Sequence, residues 1–176
     1  MDTEFRRRAS GIRLLAMDVD GVLTDGAIYL TASGDEFKAF NILDGQGLKM
    51  IRRQGIQTAF ITGRDSPLTE TRATNLGIDY LYQGREDKAA ALRELSDRTG
   101  IAVGEMAYVG DDLPDLAAIQ LAGLGISVPN GSSTVREAAD WCTATAGGSG
   151  AVREICEQLL QARGLLQDAI EGYRAP

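Results

Sequence analysis

Apolar residues along this chain fall in short runs of strand length, separated by stretches in which they recur three and four positions apart. The runs lie at 12–17, 57–62, 79–82, 106–110, 124–128 and 141–143; each is too short for a buried helix and is bounded by polar or glycine-containing segments. Helical spacing occupies 45–54, 67–76, 88–99, 113–121 and 132–139, and an amphipathic stretch follows at 151–160. Regular alternation of the two periods predicts an α/β fold: a three-layer, Rossmann-like parallel sheet with helices on both faces.

Punctuation along the chain agrees with those boundaries. Ser66-Pro67 offers an N-cap and a first-turn proline, and Gly55, Gly77 and Gly100 fall just beyond three of the helical stretches. After the first run, residues 27–30 and 36–41 flank Ala32-Ser33-Gly34-Asp35, a pattern of two short strands about a turn. We expect a β-hairpin flap over about residues 27–41. Ala146-Gly147-Gly148-Ser149-Gly150 reads as a flexible connection into the last helix, because it lacks the lysine of a Walker loop. One domain over 11–163 is expected, with an N-terminal tail at 1–10, where Arg6, Arg7 and Arg8 sit on an end expected to fray, and a mobile C-terminal tail at 164–176.

The chemistry gathers where the first apolar run stops. Asp18 ends that run and Asp20 follows two residues later, in Asp18-Val19-Asp20-Gly21-Val22-Leu23-Thr24. Strand carboxyl ends are where open α/β sheets bind ligands, and two acids crowded there repel unless a cation or a proton intervenes.

Composition removes the main alternatives. The 176 residues contain no histidine, which excludes Ser-His-Asp and Cys-His nucleophile pairs and histidine-bound zinc. With 18 basic against 25 acidic residues the net charge is -7, the wrong sign for a nucleic-acid surface. No apolar stretch suits a membrane span or signal peptide. Cys142 and Cys156 match no zinc spacing and suit a reducing, cytoplasmic setting.

Four elements recur in order at strand ends or helix starts: Asp18-x-Asp20, Ile61-Thr62-Gly63-Arg64, Lys88, and Gly110-Asp111-Asp112-Leu113-Pro114-Asp115. Together they resemble the haloacid dehalogenase superfamily, whose members are mostly phosphatases. The resemblance implies that Asp18 is a nucleophile forming an aspartyl phosphate, and that Asp20 protonates the leaving alcohol and then deprotonates water. Such a group is needed neutral for one step and ionised for the next, so its acidic neighbours are expected to raise its pKa. It further implies that Thr62 and Lys88 hold the phosphoryl group, and that Mg²⁺ is held by Asp18, by the backbone carbonyl of Asp20 and by Asp111. A hard cation with oxygen ligands suits suppression of anion repulsion at phosphorus. Asp115 is expected to support the metal and the lysine from behind, whereas Asp112 is read equally as a helix cap or a metal neighbour.

The intervals from Asp18 to Thr62 and from Thr62 to Lys88 leave no room for a separate cap domain. With Phe40-Asn41-Ile42-Leu43-Asp44-Gly45, Leu81-Tyr82-Gln83-Gly84 and Gly147-Gly148-Ser149-Gly150-Ala151-Val152-Arg153-Glu154, the chain is similar to a capless subclass acting on keto-sugar acid phosphates. That likeness implies a homotetramer in which flaps and tails close a neighbour's site, and an eight-carbon acid of lipopolysaccharide precursors as substrate, with nine-carbon acids of sialic type as the alternative. It assigns Asn41, Ile42, Leu43, Asp44, Gly45, Lys49, Arg64 and Arg72, together with Asp20 and Lys88, to the substrate. A guanidinium can grip a carboxylate through paired hydrogen bonds. A receiver-type phosphoacceptor places its acids in a different order, and a noncatalytic binding subunit would bury unneutralised acids at a cost.

Overall fold

The structure, a computed structural model, describes residues 3–174. In chain order it comprises α1 (Thr3–Ser10), β1 (Leu14–Met17), a hairpin of β2 (Tyr29–Leu30) and β3 (Glu36–Phe37), α2 (Ile42–Arg53), β4 (Gln57–Ile61), α3 (Pro67–Leu76), β5 (Tyr80–Tyr82) and α4 (Lys88–Thr99). There follow β6 (Met106–Val109), α5 (Leu116–Leu121), β7 (Leu124–Ser127), α6 (Ser133–Ala138), β8 (Trp141–Cys142), α7 (Ala151–Ala162) and α8 (Leu166–Glu171). Six strands form one sheet in the order β5-β4-β1-β6-β7-β8, and every pairing within it is parallel. The hairpin is a separate antiparallel pair.

Strand alternation divides the core in two. Leu15 and Met17 of β1, Phe60 of β4 and Ala107 and Val109 of β6 face the layer that contains α2 and α7. Leu14, Ala16, Ala59, Ile61, Met106 and Tyr108 face α4 and α5. Strands buried on both faces read as continuous apolar runs, which is why period-two alternation is absent from the sequence. Chain order reverses at β1, which lies between β4 and β6, so the carboxyl ends of β1 and β6 flank the crevice where such sheets take ligands.

Four local differences from the sequence reading have physical causes. Helix α2 begins at Ile42, because Asn41 Oδ1 accepts the Leu43 N–H at 2.8 Å as an N-cap; Ile42 and Leu43 point outward, so apolar spacing does not mark them. Ser66 takes extended N-cap backbone without a side-chain capping bond. The stretch 113–121 divides into a 3₁₀ turn at Leu113–Asp115 and α5, since Asp115 Oδ2 takes the Asp111 and Asp112 N–H groups and tightens the turn around Pro114. Finally, the segments expected as tails contain helices among the described residues. In α1, Ala9 is buried, Phe5 meets Trp141 edge-on at 5.0 Å and Arg8 pairs with Asp140 at 2.7 Å. In α8, Ala169 is buried, and beyond it Tyr173 Oη accepts from Gln46 Nε2 at 2.5 Å.

Candidate active site

Motif residues converge because three parallel strands end side by side. Asp18 follows β1, Thr62 follows β4 and Asp111 comes two residues after β6, all on the carboxyl edge, while Lys88 opens α4. They line a cavity of about 320 Å³ together with Asp20, Gly63, Arg64, Glu86, Asp112, Pro114 and Asp115.

Lys88 is the charge centre of the site. Its ammonium lies 2.7 Å from Asp18 Oδ2 and 2.6 Å from Asp115 Oδ1, with 3% of the side chain exposed. Burial pulls the lysine pKa down, but the two carboxylates outweigh it and hold the group above its ordinary value. Asp115 is saturated: Oδ1 also accepts from Tyr108 Oη at 2.8 Å, and Oδ2 accepts the backbone N–H groups of Asp111 and Asp112. A carboxylate so committed positions the lysine and the Asp111 loop. The exposed Asp112 supplies backbone to that turn.

Asp18 Oδ1 accepts the Val19 N–H at 2.7 Å. Burial and the nearby Asp115 raise the Asp18 pKa to about 6 despite Lys88, and burial with Asp115 and Asp18 raises that of Asp111 to about 7. Oxygens of Asp18, Asp111 and Asp115 lie within 4.8 Å of one another. Asp111 Oδ1 is buried without a hydrogen-bond partner. Three clustered acids with one lysine among them, and one orphaned carboxylate oxygen, fit a divalent cation.

The clustering predicts a pH dependence for metal-free protein. Both carboxyls keep protons in the fold that they lose near pH 3.8 when unfolded. Hence, as pH rises from about 4 to about 7, the unfolded chain holds fewer protons than the native one and stability falls. Melting in EDTA should drop between pH 5 and pH 8, and magnesium should raise Tm more at pH 8. A metal-free Tm that climbs through this window would show that the acids are not in conflict.

Close backbone approach shapes the metal-facing wall. Gly21 has φ +92°, and a Cβ there would lie 2.1 Å from Asp111 Oδ2. Asp111 is too short to swing clear and keep its position, and positive φ adds strain for any L side chain. Gly21→Ala should therefore lower metal affinity and activity by on the order of 100-fold; isothermal titration with Mg²⁺ and phosphate release measure each, and wild-type values for both would refute the packing argument. The glycine-rich segment is no flexible connection: a Cβ on Gly147 would lie 1.8 Å from the Gly21 carbonyl oxygen, and the Gly148 N–H donates to Val22 O at 3.0 Å. Asn130 completes this brace, donating to Gly21 O at 2.8 Å and accepting from the Gly147 N–H at 2.7 Å.

Comparison with known proteins gives this geometry a family. A family model for haloacid dehalogenase-like hydrolases matches residues 80–155. The 3-deoxy-D-manno-octulosonate 8-phosphate phosphatases of Salmonella typhi and Escherichia coli K12 are 44% and 46% identical, over 96% and 92% of this chain and 90% and 86% of theirs. The crystal structure of the Moraxella catarrhalis phosphatase of that name, in complex with magnesium, phosphate and KDO, superposes with a TM-score of 0.96 at 46% identity, covering 98% of this chain and 99% of that one. This chain belongs to the 3-deoxy-D-manno-octulosonate 8-phosphate phosphatase family of the haloacid dehalogenase superfamily. The cobalt-bound family member from Haemophilus influenzae is 36% identical, with a TM-score of 0.90 over 96% of this chain and 99% of its own.

The remaining residues that family resemblance assigns to the substrate fall in two places. Arg64 lines the cavity, its guanidinium held at 2.6 Å by Glu36 of the flap. Asn41, Ile42, Leu43, Asp44, Gly45, Lys49 and Arg72 are not among the residues lining this chain's catalytic cavity. Ile42 and Leu43 are exposed, and Arg72 donates to Asn41 O at 3.0 Å while covering the Phe40 ring. Lys49 is exposed on α2, beside Arg52 and Arg53. The Asp44 side chain is fully buried, and its Oδ1 accepts the Arg153 N–H at 2.8 Å at the start of α7. Its carboxyl is raised by burial, against the pull of backbone N–H groups there, so it joins α2 to α7.

Asp20 also departs from expectation, since its carboxylate faces a cation: Lys38 Nζ lies 2.7 Å from both oxygens. Sequence reasoning missed Lys38, Tyr108, Asn130 and Glu36. Lys38 and Glu36 share one face of the expected hairpin by period two, the one signal that could have marked them.

Proposed function

We propose that this chain is a Mg²⁺-dependent phosphatase that hydrolyses 3-deoxy-D-manno-octulosonate 8-phosphate to 3-deoxy-D-manno-octulosonate and phosphate, a reaction of lipopolysaccharide precursor biosynthesis in the cytoplasm. The reading rests on chain-long similarity to phosphatases of that name, joined to the Asp18-Lys88-Asp115 constellation.

Phosphate monoesters are nearly inert in water, so the site must aim a nucleophile and offset charge on the phosphoryl oxygens. When bound at Asp18, the Asp20 carbonyl and Asp111, the cation screens the repulsion between carboxylate and phosphate. Asp18 attacks phosphorus in line with the sugar oxygen; the P–O bond to the sugar breaks, and the departing oxygen takes a proton from Asp20. Water then attacks the phosphorus of the aspartyl phosphate, Asp20 takes its proton, and the bond to Asp18 breaks. Thr62 and Lys88 hold the phosphoryl oxygens, and Lys88 leaves its ion pair with Asp18 as Asp18 becomes an acyl phosphate, while Asp115 keeps it in place. No described helix is long and apolar enough to cross a membrane.

The assembly that completes the site is a homotetramer. Exposed Ile28, Leu30 and Phe37 on the flap, and Ile42 and Leu43 at the start of α2, favour burial against other copies. Asn41, Ile42, Leu43, Lys49 and Arg72 then meet a substrate held by a neighbouring subunit, while Asp44, buried against the start of α7, and Gly45, packed against Arg72, shape that segment. Phosphate release from eight- and nine-carbon keto-sugar acid phosphates, assayed side by side with and without EDTA, tests the reading. We expect the eight-carbon ester to be preferred and EDTA to stop the reaction; preference for a nine-carbon ester or indifference to EDTA would overturn it.

A further inference from the structure

The flap carries two charges of opposite sign, Glu36 in β3 and Lys38 just past its end, and each meets a different catalytic motif. Glu36 and Lys38 are two residues apart, so extended backbone sends them the same way while Phe37 points opposite. Phe37 is 52% exposed and stacks on Tyr29 at 5.1 Å. Glu36 Oε2 meets the Arg64 guanidinium at 2.6 Å, on the loop after β4. The Lys38 ammonium meets both carboxylate oxygens of Asp20 at 2.7 Å, on the loop after β1.

The two pairs differ in burial. The Lys38 side chain is 3% exposed, whereas Arg64 is 41% exposed. An ammonium withdrawn from water needs a fixed partner, and a symmetric two-oxygen contact sets the direction of that partner as well. Asp20 has to reach the sugar oxygen in one step and a water in the next, so its carboxylate orientation governs both. The Arg64–Glu36 pair acts with less energy, being more solvated, and fixes the other end of the same strand.

We propose that Lys38 is a positioning residue for Asp20, and that with Glu36 it clamps the flap strand across the mouth of the catalytic cavity of its own chain. Lys38 aims the carboxylate; Glu36 keeps the strand in register by holding Arg64. The inference rests on the reading of Asp20 as the acid and base of a phosphatase.

The test compares wild type with Lys38→Met, Lys38→Arg and Glu36→Gln, using 3-deoxy-D-manno-octulosonate 8-phosphate and p-nitrophenyl phosphate, with hydrogen exchange of residues 29–38 measured in parallel. p-Nitrophenolate leaves without a proton, so for that ester a misaimed Asp20 spares the first step and slows only hydrolysis of the aspartyl phosphate, which both esters share. Lys38→Met should lower kcat on the sugar ester by about 10- to 100-fold with KM within about threefold, and slow the first-turnover release of p-nitrophenolate by no more than about threefold. Lys38→Arg should recover most of the loss. Flap exchange should quicken in Lys38→Met and Glu36→Gln while core strands stay protected. An equal loss in first-turnover release of p-nitrophenolate, or unaltered flap exchange in Lys38→Met, overturns the proposal. If wild type hydrolyses neither ester, the phosphatase reading fails, and flap exchange alone decides the clamp.

Discussion

Asp18→Asn should abolish turnover, by on the order of 10⁴-fold or more, because an amide cannot form the acyl phosphate. The same substitution should stabilise metal-free protein. Burial and Asp115 raise the Asp18 carboxyl to about 6, so near pH 8 the fold holds an anion it disfavours. A neutral isostere relieves that conflict and leaves Lys88 paired with Asp115; the gain should be roughly 1–3 kcal/mol in EDTA. Thermal melting and phosphate release on one preparation measure both effects. An inactive variant that is also destabilised would show that Asp18 serves the fold more than the chemistry.

Lys88→Met should have the second largest effect, with the opposite sign on stability. Removing the ammonium leaves Asp18 and Asp115 as buried carboxylates without their shared cation. Breaking a buried pair from one side costs about 3–5 kcal/mol. Activity should fall by roughly 10³-fold, as expected when a preorganised positive group facing the phosphoryl oxygens is lost. Magnesium should recover part of the stability, since a cation among the acids replaces some of the missing charge. Urea unfolding with and without Mg²⁺ measures the term. A variant as stable as wild type in EDTA would mean that the three acids do not depend on the lysine.

A linear sequence places some of these residues at one sheet edge and leaves others hidden. Asp18, Thr62, Lys88 and Asp111 were legible because each sits within two residues of an element boundary that apolar periodicity or a glycine marks, and a parallel sheet brings such boundaries to one edge. The helices α3 and α4 were legible to the residue, since Ser66-Pro67 begins the first and Gly77 and Gly100 end them. What stayed hidden depends on packing between distant segments. Asn130 is an ordinary loop residue until the Gly21 carbonyl and the Gly147 N–H meet across it. Asp44 shares a helix start with its neighbours, and only the approach of α7 commits its carboxylate to backbone. The chain ends read as tails because α1 and α8 are short and polar, and their few apolar residues, Phe5 and Ala169 among them, gain meaning only against Trp141 and α7. Lys38 stayed hidden for a further reason: it lies just past β3, and a strand of two residues has too little pattern to show which way its neighbours turn.

Covalent capture of the phosphorylated enzyme tests the central claim most directly. Wild-type protein mixed with 3-deoxy-D-manno-octulosonate 8-phosphate and Mg²⁺, quenched within milliseconds and reduced with borohydride, should yield homoserine at residue 18 in peptide mass spectrometry, from the aspartyl phosphate on that side chain. Release of the sugar acid with Asp18 unmodified, or reduction at any other carboxylate, would contradict the account.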